Sequence, residues 1–132
     1  MRHAARSGAD TVIAGQMVSP ADAASFGIID VTVPGGARVS RIRQRPDPRT
    51  VTEPLAVVSR LILRPSILGL LIPRPEAHGE VDLGIAVGER ARQADVRAHR
   101  VTAHWVTVGD PRRYYDALTR SWTVSPSGPT AR

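Results

Sequence analysis

The chain has 132 residues and a mass of 14.2 kDa, which suits one ordinary domain or part of a larger one, and its 42% apolar content is too high for a fully disordered chain. It has no cysteine, which excludes disulfides, thiolate metal sites and a cysteine nucleophile and is compatible with a reducing cytoplasm. Its longest apolar stretch, Leu61–Ile72, is interrupted by Arg64 and Pro65, so no run of about 18 apolar residues could span a membrane.

The basic residues are unusual because all 18 are arginine, and against 12 acidic residues they give a net charge of +6 and a pI near 11.3. The absence of lysine excludes Schiff-base chemistry. A basic excess can indicate nucleic-acid binding, but these arginines are scattered, and the densest group, Arg38–Arg49, is interrupted by other residues. We interpret the arginine bias mainly as GC-rich codon usage and do not expect a nucleic-acid or membrane partner.

The first quarter of the chain predicts a helix end, a strand and a short helix. Residues 1–8 favour the last turns of a helix with Gly8 as its C-cap. The β-branched run Thr11–Val18 predicts a strand. Ser19 followed by Pro20 is typical of an N-cap and first helical position, and predicts a short helix through Ser25.

A hairpin, a loop and a buried strand are predicted next. Gly27–Val33 and Arg38–Gln44 are strand-like runs joined by a Pro-Gly-Gly-Ala turn. Three prolines make Arg45–Pro54 a loop. The nearly continuous apolar run Leu55–Leu63 is typical of a strand buried on both faces.

Helices and strands alternate through the rest of the chain. Pro65 begins a short helix over Ser66–Ile72, and an apolar stripe predicts a second helix over Glu80–Ala94. Val96–Val108 is strand material, and Asp110-Pro111 starts a helix that runs to about Arg120. Alternating strands and helices with one inserted hairpin indicate an α/β fold.

Five stretches of the chain carry a resemblance to one known family, because they occur in that family's order and at nearly the same spacing. They are GADTVIAGQMVSPADAASFGIIDV, RVSRIRQRPDP, EPLAVVSRLILRPSILGLL, HGEVDLGIAVGERA and HWVTVGDPRRYYDAL. Together they resemble the C-terminal half of sugar-1-phosphate nucleotidylyltransferases, most closely the UTP–glucose-1-phosphate uridylyltransferases. RVSRIRQRPDP, for example, is similar to the family's RVTRIVEKPKP. The resemblance covers residues 1 to about 120.

This resemblance implies a partial Rossmann-like nucleotidyltransferase fold, namely the C-terminal half of a mixed sheet with flanking helices and an inserted β-hairpin. Residues 1–122 would form that half-domain and residues 123–132 a flexible tail. The family's Gly-rich phosphate loop and its first Mg²⁺-binding aspartate have no counterpart in the sequence. We therefore expect the chain to begin about halfway through the family's fold.

The resemblance also implies three sugar-phosphate-binding residues. Gly27 matches a glycine whose backbone approaches the bound sugar, although it could equally serve only to open a strand. Gln44 and Arg45 stand where the family has a Glu-Lys pair that meets sugar hydroxyls and phosphate. Gln44 can still bond hydroxyls without charge, and Arg45 can bind phosphate in a bidentate way.

The metal site of the family is not matched. Thr107 occupies the place of the second Mg²⁺-binding aspartate, and its neutral hydroxyl is a poor replacement for a carboxylate. Asp110 could supply a ligand, but an N-cap role is favoured for it. Glu80 and Asp82 match an acidic pair at a helix start, where complementing the helix dipole is favoured over ligation. We expect no catalytic residue, metal or other cofactor in this chain.

The sequence thus predicts a truncated or degenerate uridylyltransferase-like protein, a pseudoenzyme inactive as the isolated chain, whose candidate ligands are UDP-glucose and glucose 1-phosphate. Two alternatives stay open. The chain could be a fragment of a longer nucleotidyltransferase whose start is misassigned. It could instead be a non-catalytic module that docks onto a full-length relative or onto a second copy of itself, since half a sheet leaves an edge unpaired.

Overall fold

The computed structural model describes residues 8–73, 79, 81–103 and 105–123. They fall into two units, one ending at Thr102 and one starting at Ala103. The described residues of the first unit form five strands, β1 (Thr11–Met17), β2 (Gly27–Val31), β3 (Val39–Gln44), β4 (Leu55–Ile62) and β5 (Val96–Arg100), and one α-helix, α1 (Leu83–Gln93). The second contains α2 (Pro111–Thr123). Within the described residues, no helix is both long and apolar enough to cross a membrane.

The five strands form one mixed sheet in the order β3-β2-β4-β1-β5. β1 and β5 run parallel, whereas β1–β4, β2–β3 and β2–β4 are antiparallel pairs. At one end of the sheet, the residues just before β3 contact β5, the other edge strand. Arg38 forms an isolated bridge with Arg97, and Ala98 N donates to Ala37 O at 2.7 Å. The segment before β3 therefore contacts β5 at that end, while β3 and β5 remain the edge strands of the sheet.

The predicted hairpin and short helices are present. β2 and β3 pair from Gly27↔Gln44 to Asp30↔Arg41, and the register shifts beyond Asp30. The prolines at positions 20, 48 and 65 each begin a 3-10 helix: Pro20–Ser25, Pro48–Thr50 and Pro65–Leu70. Ser19 caps the first of these by accepting a hydrogen bond from Asp22 N at 3.2 Å. The loop predicted from residue 45 to residue 54 thus contains one short helix.

Alternate strand residues bury against the two faces of the sheet. One face carries the main core, and α1 packs there through Ala86, Val87 and Ala91. The strand residues of that core are Ile13, Ile29, Val39, Leu55, Val96 and Ala98. On the other face, Ile28 and Ala56 pack with Ala23 of the Pro20–Ser25 helix. Burying the larger of these apolar side chains is the main stabilisation of the unit, because a valine, leucine or isoleucine is worth roughly 1.5–3 kcal/mol when fully removed from water.

Two predicted strands differ from those observed. The Leu55–Leu63 run is buried only over its first residues, Leu55, Ala56 and Val58, while Ser59 and Arg60 are exposed. The strand Val96–Val108 is too long, because β5 ends at Arg100 and the described residues beyond it reach α2 without further strand. β5 forms a ladder with the five residues Thr11–Gly15 of β1, and its length matches that ladder.

Of two predicted helix starts, one is corrected by its cap and the other is confirmed. The expected helix over Glu80–Ala94 begins at Leu83, because Asp82 accepts a hydrogen bond from Ile85 N at 3.0 Å and is its N-cap. Asp110 likewise accepts from Arg113 N at 2.9 Å, as favoured from the sequence. Glu80, the predicted helix end before Gly8 and the tail after Thr123 lie outside the described residues.

Candidate functional site

A cleft of about 540 Å³ opens on the core face of the sheet, beside the start of α1. We call it the Gln44 cleft. It is lined by Gly27, Gln44, Arg45, Ser59 and Asp82 together with apolar side chains that include Phe26, Val57, Leu61 and Leu83. All three residues predicted from the sequence therefore lie in one cleft. Hairpin pairing accounts for this convergence, since Gly27 is directly opposite Gln44.

Gln44 is held between two glycines. A Cβ at residue 27 would lie 3.1 Å from Gln44 Oε1, and a Cβ at residue 84 would lie 2.5 Å from Gln44 Nε2. Gln44 Nε2 donates a long hydrogen bond of 3.4 Å to Asp82 Oδ1. Gly27 opens β2, and its missing side chain also leaves room for the Gln44 amide.

Arg45 follows β3 in a left-handed backbone conformation with φ 44°. A hydrogen bond from its backbone N–H to Phe26 O, at 3.0 Å, holds the backbone there. Ser59, on the opposite wall, has φ 53°. It lies where the β1–β4 register shifts, between Val57 and Leu61. Such conformations cost about 1–3 kcal/mol for residues other than glycine and concentrate at functional sites.

The Arg45 guanidinium is the available cation of the cleft. Its side chain is exposed, and within the described part of the chain no carboxylate or hydrogen-bond acceptor engages it. A guanidinium left in this state can donate two parallel hydrogen bonds to a phosphate. Gln44 Oε1 and Asp82 Oδ2 are also without partners among the described residues. The cleft thus offers one cation and two oxygen acceptors beside an apolar wall.

A second cavity, of about 480 Å³, lies on the opposite face of the hairpin and is called the Asp30 cavity. Its arginines are engaged, because Asp30 accepts from Arg41 Nε at 2.6 Å and from Arg43 Nη2 at 2.9 Å. Burial raises the pKa of Asp30, but the hydrogen bonds from Arg43 and Arg41 outweigh it and leave that pKa below its usual value. Because the arginines of the Asp30 cavity are already paired with Asp30, whereas no described residue engages the Arg45 guanidinium, the Gln44 cleft is the better candidate site.

The donor set does not suit the Mg²⁺ that the family resemblance implies. Thr107 lies in the second unit and offers a neutral hydroxyl. Asp110 is committed to capping α2. Among the residues that the structure describes, no three acidic or histidine side chains come together as metal ligands. We therefore derive no step through a metal ion.

The sequence did not reveal Asp82 as a cleft residue. From the sequence, Asp82 was interpreted only as complementing the dipole of a helix that starts at Glu80, whereas the structure makes it the N-cap of α1. Its contact with Gln44 joins positions 38 residues apart. The Asp30 cavity was missed as well, although the hairpin register places Asp30 opposite Arg41 and could have indicated that ion pair.

Comparison with solved structures gives the class of this fold: it is that of part of a sugar nucleotidyltransferase, as the sequence resemblance predicted. A UDP-glucose pyrophosphorylase complexed with UDP-glucose superposes with a TM-score of 0.74 at 19% identity, over 87% of this chain and 45% of that one. A UTP-bound UGPase from Acinetobacter baumannii gives 0.78 at 23% identity, over 96% and 44%. A protein described as a glucose-1-phosphate thymidylyltransferase from Bacillus anthracis, in complex with sucrose, gives 0.73 at 13%, over 96% and 49%.

These superpositions establish the fold. Because the sequence identities are low, the activity has to be argued from the candidate site. The chain spans less than half the length of each of these structures. No protein-family model and no curated protein matches the sequence.

Proposed function

We propose that this chain is a degenerate uridylyltransferase-like half-domain that binds a sugar phosphate in the Gln44 cleft and has no nucleotidyl-transfer activity by itself. The observation that carries the proposal is the convergence of Gly27, Gln44 and Arg45 on one cleft with the Arg45 guanidinium unengaged by the described residues. Arg45 would hold the phosphate, and the oxygen acceptors of the cleft would receive hydrogen bonds from sugar hydroxyls. Two of the structural neighbours carry UDP-glucose or UTP, which supports this ligand class.

Titration calorimetry with glucose 1-phosphate tests the binding proposal. Arg45→Gln removes the phosphate-binding cation and should weaken binding at least about tenfold, since a charge-assisted hydrogen-bond pair is lost. Arg49→Gln is the matched control because it also removes one positive charge. Its guanidinium pairs with Asp47 at 2.8 Å and is 89% exposed outside the cleft. Equal weakening by both variants would show attraction to the net positive charge and not a site.

The proposed lack of activity rests on Thr107 and on the phosphate loop that the sequence does not contain. Nucleotidyl transfer needs both charge neutralisation at the reacting phosphates and a cradle for the nucleotide. A pyrophosphate-release assay with UTP, glucose 1-phosphate and Mg²⁺ should therefore show no turnover above background. Turnover that persists through further purification would overturn this half of the proposal. The intact mass of the product in its own cells tests whether the half-domain belongs to a longer chain.

Docking is a second candidate function, favoured by exposed apolar side chains on α2. Tyr114 is 54% exposed, Tyr115 66% and Leu118 42%. A second copy of the chain or a full-length relative would cover such a surface, since exposed aromatic clusters are common at interfaces. Light scattering on the purified chain tests the first option. A mass that stays at 14.2 kDa up to high concentration would leave only the relative as a partner.

A further inference from the structure

Asp82 uses only one of its carboxylate oxygens for structure. Oδ1 accepts hydrogen bonds from Ile85 N at 3.0 Å, which caps α1, and from Gln44 Nε2 at 3.4 Å. Oδ2 has no hydrogen-bond partner within the described part of the chain. Asp82 is half-buried and lines the Gln44 cleft. Asp82 therefore places in the cleft an anionic oxygen that makes no hydrogen bond to the described residues.

Asp82 also sets the polarity of the Gln44 amide. A carboxylate can only accept hydrogen bonds, so the amide nitrogen of Gln44 must face it and the amide oxygen must point away. That oxygen lies on the Gly27 side, where a Cβ would come within 3.1 Å of it. Gln44 consequently presents an acceptor to the cleft, although a glutamine could otherwise present either end.

Gly84 leaves the space that this arrangement occupies. Any side chain there would place its Cβ 2.5 Å from Gln44 Nε2 and 3.0 Å from Asp82 Oδ1. Glycine is otherwise unfavourable inside a helix, by roughly 0.5–1 kcal/mol relative to alanine. Gly84 thus weakens the first turn of α1 at the position where the Gln44 amide contacts Asp82.

We propose that Asp82 is a ligand-binding and specificity-determining residue of the Gln44 cleft. Its Oδ2 accepts a hydrogen bond from a sugar hydroxyl and so supplies the anionic acceptor that Gln44 lacks, while Oδ1 holds Gln44 Oε1 in place as a second acceptor. This inference rests on the sugar-phosphate binding proposed above. The ligand class is a phosphate monoester that carries hydroxyl donors. A bare phosphate gains nothing from Asp82, because two negative groups repel each other.

Two ligands and one substitution separate this role from a purely structural one. Asp82→Asn keeps a good helix N-cap and an oxygen that can accept from both Ile85 N and Gln44 Nε2, but it removes the charge. We expect it to weaken glucose 1-phosphate binding about tenfold, as for the loss of a hydrogen bond to a charged acceptor. Inorganic phosphate should bind equally well or more tightly. Arg45→Gln, in contrast, should weaken both ligands.

The outcomes are distinguishable. Equal weakening of both ligands by Asp82→Asn, or no weakening of glucose 1-phosphate, would overturn the role of Asp82 while leaving the cleft as a binding site. If the unsubstituted protein binds neither ligand, the proposed function fails and this inference fails with it. Thermal unfolding verifies that the variant is folded. If the asparagine variant does not fold, Asp82→Ser is the second variant, because serine also caps helices and carries no charge.

Discussion

Arg45 combines its proposed binding role with an unfavourable backbone conformation. With φ at 44° it adopts the left-handed region, where an L-residue loses roughly 1–2 kcal/mol because its Cβ crowds the following carbonyl. The conformation turns the chain immediately after β3 and leaves the guanidinium at the cleft. The backbone conformation of Arg45 therefore lowers the stability of the fold while it places a positively charged residue at the cleft.

Arg45→Gly should therefore separate stability from binding. Glycine adopts positive φ without a Cβ penalty, so we expect the free energy of unfolding to rise by up to about 1 kcal/mol. Glucose 1-phosphate binding should fall as it does for Arg45→Gln. Urea unfolding and calorimetry on the same samples measure the two effects. Ser59→Gly relaxes the other positive φ in the cleft, at 53°, without changing charge, and should raise the free energy of unfolding by a similar amount. A clear loss of stability in Arg45→Gly would contradict this account.

The residues of the candidate site were only partly predictable from the sequence. Gly27, Gln44 and Arg45 belong to one hairpin and its end, so a local pattern with a family resemblance was enough to single them out. Asp82 approaches Gln44 only after α1 has packed on β3, and nothing local in the sequence reports that contact. Its capping contact is local, to Ile85 N three residues on, but the helix start predicted at Glu80 placed Asp82 inside the helix and so missed that role.

Among the elements, β1 shows how closely the sheet core is packed. A Cβ on Gly15 would lie 2.8 Å from Ile29 Cδ1 and 2.8 Å from Leu55 Cγ, and both side chains are fully buried. The glycine in this strand is explained by that close approach.

Gly15→Ala should accordingly destabilise the protein, by about 1–3 kcal/mol, since overpacking a well-packed core forces its side chains off their preferred rotamers. Gly69→Ala is the matched control, because a Cβ there meets nothing within 4 Å. Chemical denaturation of the two variants beside the original protein gives the comparison. Equal stability of both variants would mean that Ile29 and Leu55 move aside at little cost.

The elements were predicted best where a local signal marks their ends. The Ser19-Pro20 and Asp110-Pro111 pairs located helix starts because capping is a matter of a few neighbouring residues. The lengths of β4 and β5 were not fixed locally. An apolar run indicates which residues can be buried, but the number that form a strand depends on pairing with the neighbouring strand. β5, for example, ends where its pairing with β1 ends.

Across the first unit, ion pairs connect segments that are far apart in the chain. Asp10, just before β1, accepts two hydrogen bonds from Arg90 of α1, from Nε at 2.8 Å and from Nη2 at 2.7 Å. Arg64 Nε lies 4.0 Å away. The hydrogen bonds from Arg90 hold the pKa of Asp10 below its usual value of 3.8, against a smaller opposing effect of burial. A carboxylate with a lowered pKa in the folded state makes stability depend on pH.

The sign of that dependence follows from the direction of the shift. Asp10 stabilises the folded protein fully above the unfolded-state pKa of about 3.8 and loses that contribution as the pH falls through its lower folded-state pKa. Asp10→Asn should therefore unfold at lower denaturant concentration than the original protein at neutral pH, and the gap should close as the pH drops through this window. Asp116→Asn, an exposed substitution on α2, controls for the loss of one acidic residue. A gap that stays constant from neutral to acidic pH would mean that Asp10 acts through its shape and hydrogen bonds alone. A closing gap would identify its charge, shared with Arg90, as the link between the start of β1 and the helix that borders the cleft.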